Sequence, residues 1–219
     1  LGGLTIGITE FVVMGLLPDI ATDLKVSIPV AGYLISAYAL GVVIGAPLLV
    51  ILGRNYPPKK MLLILATMLA IFNALSIITP NYDFLLASRL LSGLPHGAFF
   101  GVGAVVASRL ADKGKEAQAI SIMFAGLTIA NLAGVPIGTY IGHHYTWRYT
   151  FMIITAVGVL TFVSLYFWMP NLEARAKETI KSQLQFFRKT EAWLIIAITS
   201  FVFGGLFWWI CYVAPSVTD

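Results

Sequence analysis

The chain reads as an all-α membrane protein on three observations. Seven apolar blocks of spanning length fill nearly all of it, the charges are swept into the gaps, and the blocks are apolar on every side rather than along one stripe. With 58% hydrophobic and 11% charged residues and a mean hydropathy of +0.87, it has too little polar surface to wrap a soluble globule.

The first block, Leu1–Leu17, follows no basic segment and ends in no small-residue cleavage site, so it reads as a first transmembrane helix whose cytoplasmic lead-in is missing. Pro18 is expected to end it. Val30–Leu52 carries Pro47, Met61–Thr79 carries Asn73, and Phe84–Ala107 carries Arg89 and His96. Ala119–Gly142 holds Pro136 within a run of glycines, Tyr149–Met169 completes six spans, and Ala192–Pro215 is the seventh. The single cysteine, Cys211, lies in that last block, which excludes an intrachain disulfide and a thiolate metal cluster. The expected organisation is a six-helix bundle over 1–169, a polar linker over 170–191, and over 192–219 the first helix of a second bundle. In the linker, Leu172, Ala176, Ile180, Leu184 and Phe187 recur at near-helical spacing, which suits either an amphipathic surface helix or a solvated connector.

Eleven of the fourteen Lys and Arg residues fall in alternate loops: Arg54, Lys59 and Lys60; Arg109, Lys113 and Lys115; Arg175, Lys177, Lys181, Arg188 and Lys189. The opposite loops hold only Lys25 and Arg148. By the positive-inside rule the loops at 53–60, 108–118 and 170–191 are cytoplasmic, in a multi-pass protein of the cytoplasmic (inner) membrane. The net charge of +4 is therefore topology, and nucleic acid is not an expected partner.

An 89-residue repeat links the halves of the bundle. Gly45-Ala46-Pro47, Gly53 and Tyr56 recur as Gly134-Val135-Pro136, Gly142 and Tyr145, each copy followed by a basic residue, Lys59 or Arg148. The offset crosses three blocks, so the copies point oppositely across the membrane: an inverted repeat of three helices plus three, a common build for secondary transporters.

Ionisable residues inside the blocks are the functional suspects. Glu10 lies seven residues before Leu17, the last residue of its block, roughly 10 Å below the expected helix end at 1.5 Å per residue. It reads as a protonatable coupling or substrate-binding carboxylate, or as a structural hydrogen-bonding group. Arg89 enters at similar depth from the other direction, and its permanent charge needs a carboxylate, a substrate anion or carbonyls. His96, seven residues on, shares nearly the same helix face, where it suits a proton relay, a substrate hydrogen bond or a satisfied core position. Tyr33, Tyr38 and Asn131 are candidate cavity-lining residues. Gly93 and Gly97, with Gly134, Pro136 and Gly138, are candidates for close helix packing or hinge motion. His143 and His144 are adjacent, so their side chains diverge, and no metal site is expected. No phosphate-cradling loop, H-E-x-x-H or G-x-S-x-G occurs, so nothing points to an enzyme.

These residues together resemble a known family. Arg89-Leu-Leu-Ser-Gly93 through Gly97 and Gly101 is similar to the fourth-helix motif of the major facilitator superfamily, and Gly134-Val-Pro136-Ile-Gly138 through Gly142 resembles its fifth-helix antiporter motif. Glu10-Phe-Val-Val-Met-Gly-Leu-Leu-Pro-Asp19 and Pro95-His-Gly-Ala-Phe-Phe100 are more particular, and are similar to the arabinose efflux permeases of the drug:proton antiporter branch. The loop between helices two and three departs from the family's G-x-L-a-D-r-x-G-r-k, with Val50, Arg54 and Pro57 at the first glycine, the aspartate and the second glycine. That puts the loop's charge-relay latch in doubt. The resemblance implies a twelve-helix transporter of which this chain is a fragment holding the first six helices and the seventh, its partners being the missing C-terminal half, the lipid bilayer and a small-molecule substrate. The expected function is secondary active efflux of sugars or small amphipathic compounds, driven by a proton gradient and needing no cofactor. A non-transporting scaffold or sensor with the same fold is the alternative.

The topology has a direct check. Single cysteines at positions 60, 113 and 181 of an otherwise cysteine-free protein should resist a membrane-impermeant maleimide in intact cells and react after permeabilisation. Ready labelling in intact cells would invert the orientation.

Overall fold

The computed structural model describes residues 1–173 and 189–217. Unit one, Leu1–Arg175, and unit two, Ala176–Asp219, are each compact and are described separately. In the first, α1 (Gly2–Asp23), α2 (Ile28–Gly53), α3 (Pro58–Ile77) and α4 (Tyr82–Leu110) are followed by α5 (Glu116–Ile129), a π-helical turn (Ala130–Gly134), α6 (Val135–His144) and α7 (Trp147–Trp168). The stretch from α5 through α6 is one continuous span, so among the described residues of this unit six helices are long and apolar enough to cross a membrane. In unit two the seventh block is helical as α8 (Thr190–Val217). The residues of the proposed amphipathic segment beyond Leu172 lie outside the described ones.

Local chemistry explains the helix starts. Ser27, Asn81 and Thr146 cap α2, α4 and α7, each accepting a backbone N–H from inside the first turn. One expected boundary is wrong. Pro18 does not stop α1, which runs on to Asp23 with the proline inside it. A proline removes one helical hydrogen bond and crowds the preceding turn, yet in a spanning helix neighbouring groups compensate. Glu10 therefore lies thirteen residues from the end of α1, about 20 Å along the axis. Asp19 and Asp23 also belong to this helix, so α1 carries three acids, Glu10 being the one farthest from its end.

α1 is the central helix, with 56% of its span buried, whereas the fifth span exposes nearly everything, with 6% buried. The packing around α1 repeats. α2 lies along α4 as α5 and α6 lie along α1, and α3 packs on α7, its own counterpart. Gly41 and Gly45 of α2 meet the backbone of Leu90 and Leu94 on α4, while Gly93 meets the Tyr38 carbonyl and Gly97 meets Ala46. In the second copy Gly134 rests on Ile8, Gly138 on Val12 and Thr150, and Gly142 on Leu16. Without side chains at these points the axes close to backbone contact, and dispersion does the work that the hydrophobic effect cannot do in lipid. The copies differ at their prolines. Pro47 sits in unbroken α-helix, whereas Pro136 stands two residues past the end of the π turn.

Two cations clasp α3 and α7 reciprocally. Lys59, at the start of α3, donates to the Met169 carbonyl at the end of α7. Arg148, at the start of α7, donates to the Thr79 carbonyl just past the end of α3, at 3.2 Å. Each neutralises a helix C-terminus whose carbonyls have no intrahelical partner. Lys59 and Arg148 are the basic residues that close the two sequence repeats. Arg109 also reaches the Glu173 carbonyl, at 3.1 Å, so the basic loops share one end of the bundle.

A Cβ at Gly93 would run into the Tyr38 carbonyl, backbone that cannot rotate away. Gly93→Ala should lower stability by about 1–3 kcal/mol, read as earlier thermal unfolding in detergent. Gly32→Ala, with nothing within 4 Å of the new carbon, should unfold like the parent.

Candidate functional site

Two apolar clusters fill the bundle. One gathers Ile6, Leu65, Leu69, Ala98 and Phe99 toward the basic end. The other gathers Val12, Leu16, Leu34, Leu85 and Phe151 toward the opposite end. Between Ile6 and Val12 on α1 lies a polar layer, and Arg89 is its centre.

Arg89 is fully buried, with 0% of its surface exposed. Its Nη2 donates to the Thr9 carbonyl at 2.9 Å. Its guanidinium carbon stands 4.5 Å from the Tyr38 ring centroid and 5.9 Å from that of Phe151. Ring faces and a carbonyl attract a cation without neutralising it. Nε and Nη1 have no hydrogen-bond partner among the described residues. Glu10 is half-buried, one residue beyond Thr9, and is an electrostatic neighbour of both Arg89 and Tyr38. The described ion pairs are Lys115–Asp112, His143–Asp19 and Arg148–Asp23; Glu10 and Arg89 do not form one. Of the three partners the sequence allowed for this guanidinium, the folded chain supplies a carbonyl.

Thr9 is itself tied back, its Oγ1 donating to the Thr5 carbonyl at 2.7 Å, and Thr5 Oγ1 meets Thr161 Oγ1 of α7 at 3.2 Å. These hydroxyls satisfy the interior without charge. His96 joins the layer through Tyr38, whose hydroxyl lies 3.0 Å from Nδ1. Beyond His96 stand Phe100, with ring centroids 5.4 Å apart, and then Phe124 of α5, parallel to Phe100 at 4.8 Å. Glu10, Tyr38, Arg89 and His96, from three helices, thus form one cluster. The other two candidate lining residues are not brought to it: Tyr33 is 62% exposed near the start of α2, and Asn131 is exposed on the π turn with its amide donated to the Leu127 carbonyl.

Thr9 and Phe151 are the parts of this cluster that the sequence did not single out. A main-chain acceptor has no residue signature, and one phenylalanine among fourteen carries none. The far end of the bundle was also missed. Asp23 accepts from Trp147 Nε1 at 3.0 Å and from Arg148 Nη1 at 2.5 Å, and Asp19 Oδ2 lies 2.6 Å from His143 Nδ1. Asp19, Asp23, His143 and Trp147 border a cleft of about 400 Å³ with Tyr145 and Thr146. Asp23 is already engaged there, and Asp19 lies against His143 although its Oδ2 makes no hydrogen bond among the described residues.

A family profile described as Major Facilitator Superfamily matches residues 1–218. The chain is 43% identical over 215 residues to AraJ of Escherichia coli (strain K12), named as a transporter, and 42% identical to the inner membrane transport protein YdhP of the same strain; each match covers 98% of this chain and 55% of the relative. A chloramphenicol resistance protein of Streptomyces lividans is 31% identical over 217 residues, covering 97% of this chain and 55% of that protein. The chain thus spans about half the length of these relatives. Among solved structures, a peptide transporter in complex with sulfate has a TM-score of 0.64 at 13% identity, over 96% of this chain and 46% of that one. The human organic anion transporter MFSD10 has a TM-score of 0.55 at 16% identity, over 78% of this chain and 46% of that one. Both share the fold.

Arg89→Lys tests the layer. An ammonium on a flexible stem cannot hold the Thr9 carbonyl and lie flat on the Tyr38 ring together. Loss of that charge-assisted bond should lower stability by about 1.5–3 kcal/mol, seen as a reduced midpoint in detergent-scan unfolding; an unchanged midpoint would show that the contact carries no weight.

Proposed function

The chain belongs to the major facilitator superfamily, and we propose that it forms the first six helices and the seventh of a proton-coupled exporter of small amphipathic compounds or sugars in the cytoplasmic membrane. Its basic loops face the cytoplasm, and a second bundle completes the substrate cavity. The observation that carries this reading is the unfinished bonding around Arg89: two buried guanidinium nitrogens without acceptors among the described residues, beside a carboxylate that is close and forms none of the described ion pairs. Relatives named as a transport protein and a drug resistance protein support the efflux direction.

The mechanism follows from what each group can do. Glu10 without its proton is the nearest carboxylate acceptor for Arg89, and the pair would draw α1 and α4 together. Glu10 with its proton is neutral, releases that attraction and leaves Arg89 on the Thr9 carbonyl and the rings. A cavity opening alternately to the two sides lets Glu10 load on the acidic side and discharge on the other. Proton flux is then tied to a two-state helix arrangement that substrate also biases. Gly93 and Gly97 keep α2 and α4 moving as one body, while the π turn before Pro136 is a place where the fifth span can bend.

In proteoliposomes of the full-length transporter, Glu10→Gln mimics the permanently protonated state. It should abolish accumulation driven by a pH gradient while leaving exchange of substrate across the membrane partly intact. Wild-type accumulation with an unchanged pH profile would move coupling away from Glu10. Failure of the unaltered protein to move any solute would favour a scaffold or sensor.

A further inference from the structure

The hydrogen bond between Tyr38 and His96 decides what His96 can offer a solute. A neutral imidazole has one N–H donor and one bare acceptor, and the bond leaves two assignments open. Tyr38 is nearly buried, at 3% exposed, and its hydroxyl has this one partner among the described residues. Were Nδ1 the donor, the phenolic proton would be buried with no acceptor, the costlier kind of loss. Tyr38 therefore donates to Nδ1, and the ring proton sits on Nε2. Nε2 makes no hydrogen bond among the described residues, and His96 is only half-buried.

The surroundings limit what can sit against that donor. The Tyr38 hydroxyl is used, Arg89 is sealed from solvent, and the Thr9 carbonyl is occupied. Next to His96 stands an aromatic pair, Phe100 at 9% exposed and Phe124 at 42%, with rings parallel to within 1°. One N–H beside an apolar ring face suits a flat apolar molecule carrying one oxygen acceptor. A sugar brings several hydroxyls, and most would be left without partners here. We infer that His96 donates its Nε2–H to a carbonyl or ether oxygen of a neutral aromatic solute lying against the Phe100–Phe124 pair, with Tyr38 as the positioning residue that sets the tautomer. This rests on the transport reading above and selects amphipathic aromatics over sugars as its substrate class.

The test uses the full-length transporter in lipid nanodiscs, with acetophenone, its near-isostere isopropylbenzene, which lacks the oxygen, and arabinose, each corrected for partition into empty discs. Acetophenone should bind about ten-fold more tightly than isopropylbenzene, and arabinose more weakly than either. His96→Leu should erase the preference for acetophenone, His96→Gln, which keeps a donor, should restore part of it, and Phe124→Ala should weaken both aromatics alike. Nitrogen-15 spectra of histidine-labelled protein should show the proton on Nε2 of His96, and a mixture of tautomers in Tyr38→Phe. A wild-type proton on Nδ1, a preference that survives His96→Leu, tighter binding of arabinose, or no binding of any probe would each overturn the inference. Accumulation driven by a pH gradient, measured on the same preparations, keeps the two readings apart. Binding as expected without accumulation sinks the coupling, and accumulation of some other solute without aromatic binding sinks only the subsite.

Discussion

Backbone contact between α2 and α4 is the constraint on which the candidate site depends. Gly93 lies between Arg89 and His96 on α4, and the atom it meets across the helix interface is the carbonyl of Tyr38. A side chain at position 93 would push α2 outward and withdraw Tyr38 from both residues. The missing Cβ thus lets one tyrosine use its ring on a guanidinium and its hydroxyl on an imidazole. Packing and polar chemistry are coupled at this point: shortening the interaxial distance creates the cluster, and the cluster in turn satisfies groups that the approach buries.

The same economy of structure appears in the repeat. Each half uses glycines to bring a helix close to the central pair, and each starts its third helix with a cation that reaches the far half's C-terminal carbonyls. Because the halves are inverted, one clasp falls at each end of the α3–α7 pair. Glu10, Arg89 and His96 lie on α1 and α4 and Tyr38 on α2, while the clasped α7 contributes the Phe151 ring that faces Arg89.

Charge in the bundle is distributed by what lipid and burial allow. At the ends, Asp23 takes donors from Trp147 and Arg148, and Asp19 sits against His143. In the middle, threonine and serine hydroxyls return to helical carbonyls, as with Thr9 on Thr5 and Ser92 on Arg89. Among the described residues the accounting is left open at Arg89 by two donors that have no acceptor, and at Asn73 and Asp19 by one acceptor oxygen each. A buried cation with spare donors is costly as a resting arrangement and useful as half of a switch.

Sequence by itself determined the all-helical membrane class, the positions of six spans, the placing of most basic residues in alternate loops and the choice of Glu10, Arg89 and His96 as suspects. Those features are linear: block length, charge spacing and rare ionisable residues within apolar runs are legible without contacts. The inverted repeat was legible too, because glycine, proline and basic residues recur at a fixed offset. The end of α1 was not, since a proline's local cost is visible in sequence while the packing that offsets it is not. Tertiary structure alone decided that Arg89 takes the Thr9 carbonyl rather than Glu10, and that Tyr38, but not Tyr33 or Asn131, enters the cluster. Those outcomes depend on the rotation and separation of helices, quantities set by sums of contacts across interfaces that no single segment encodes.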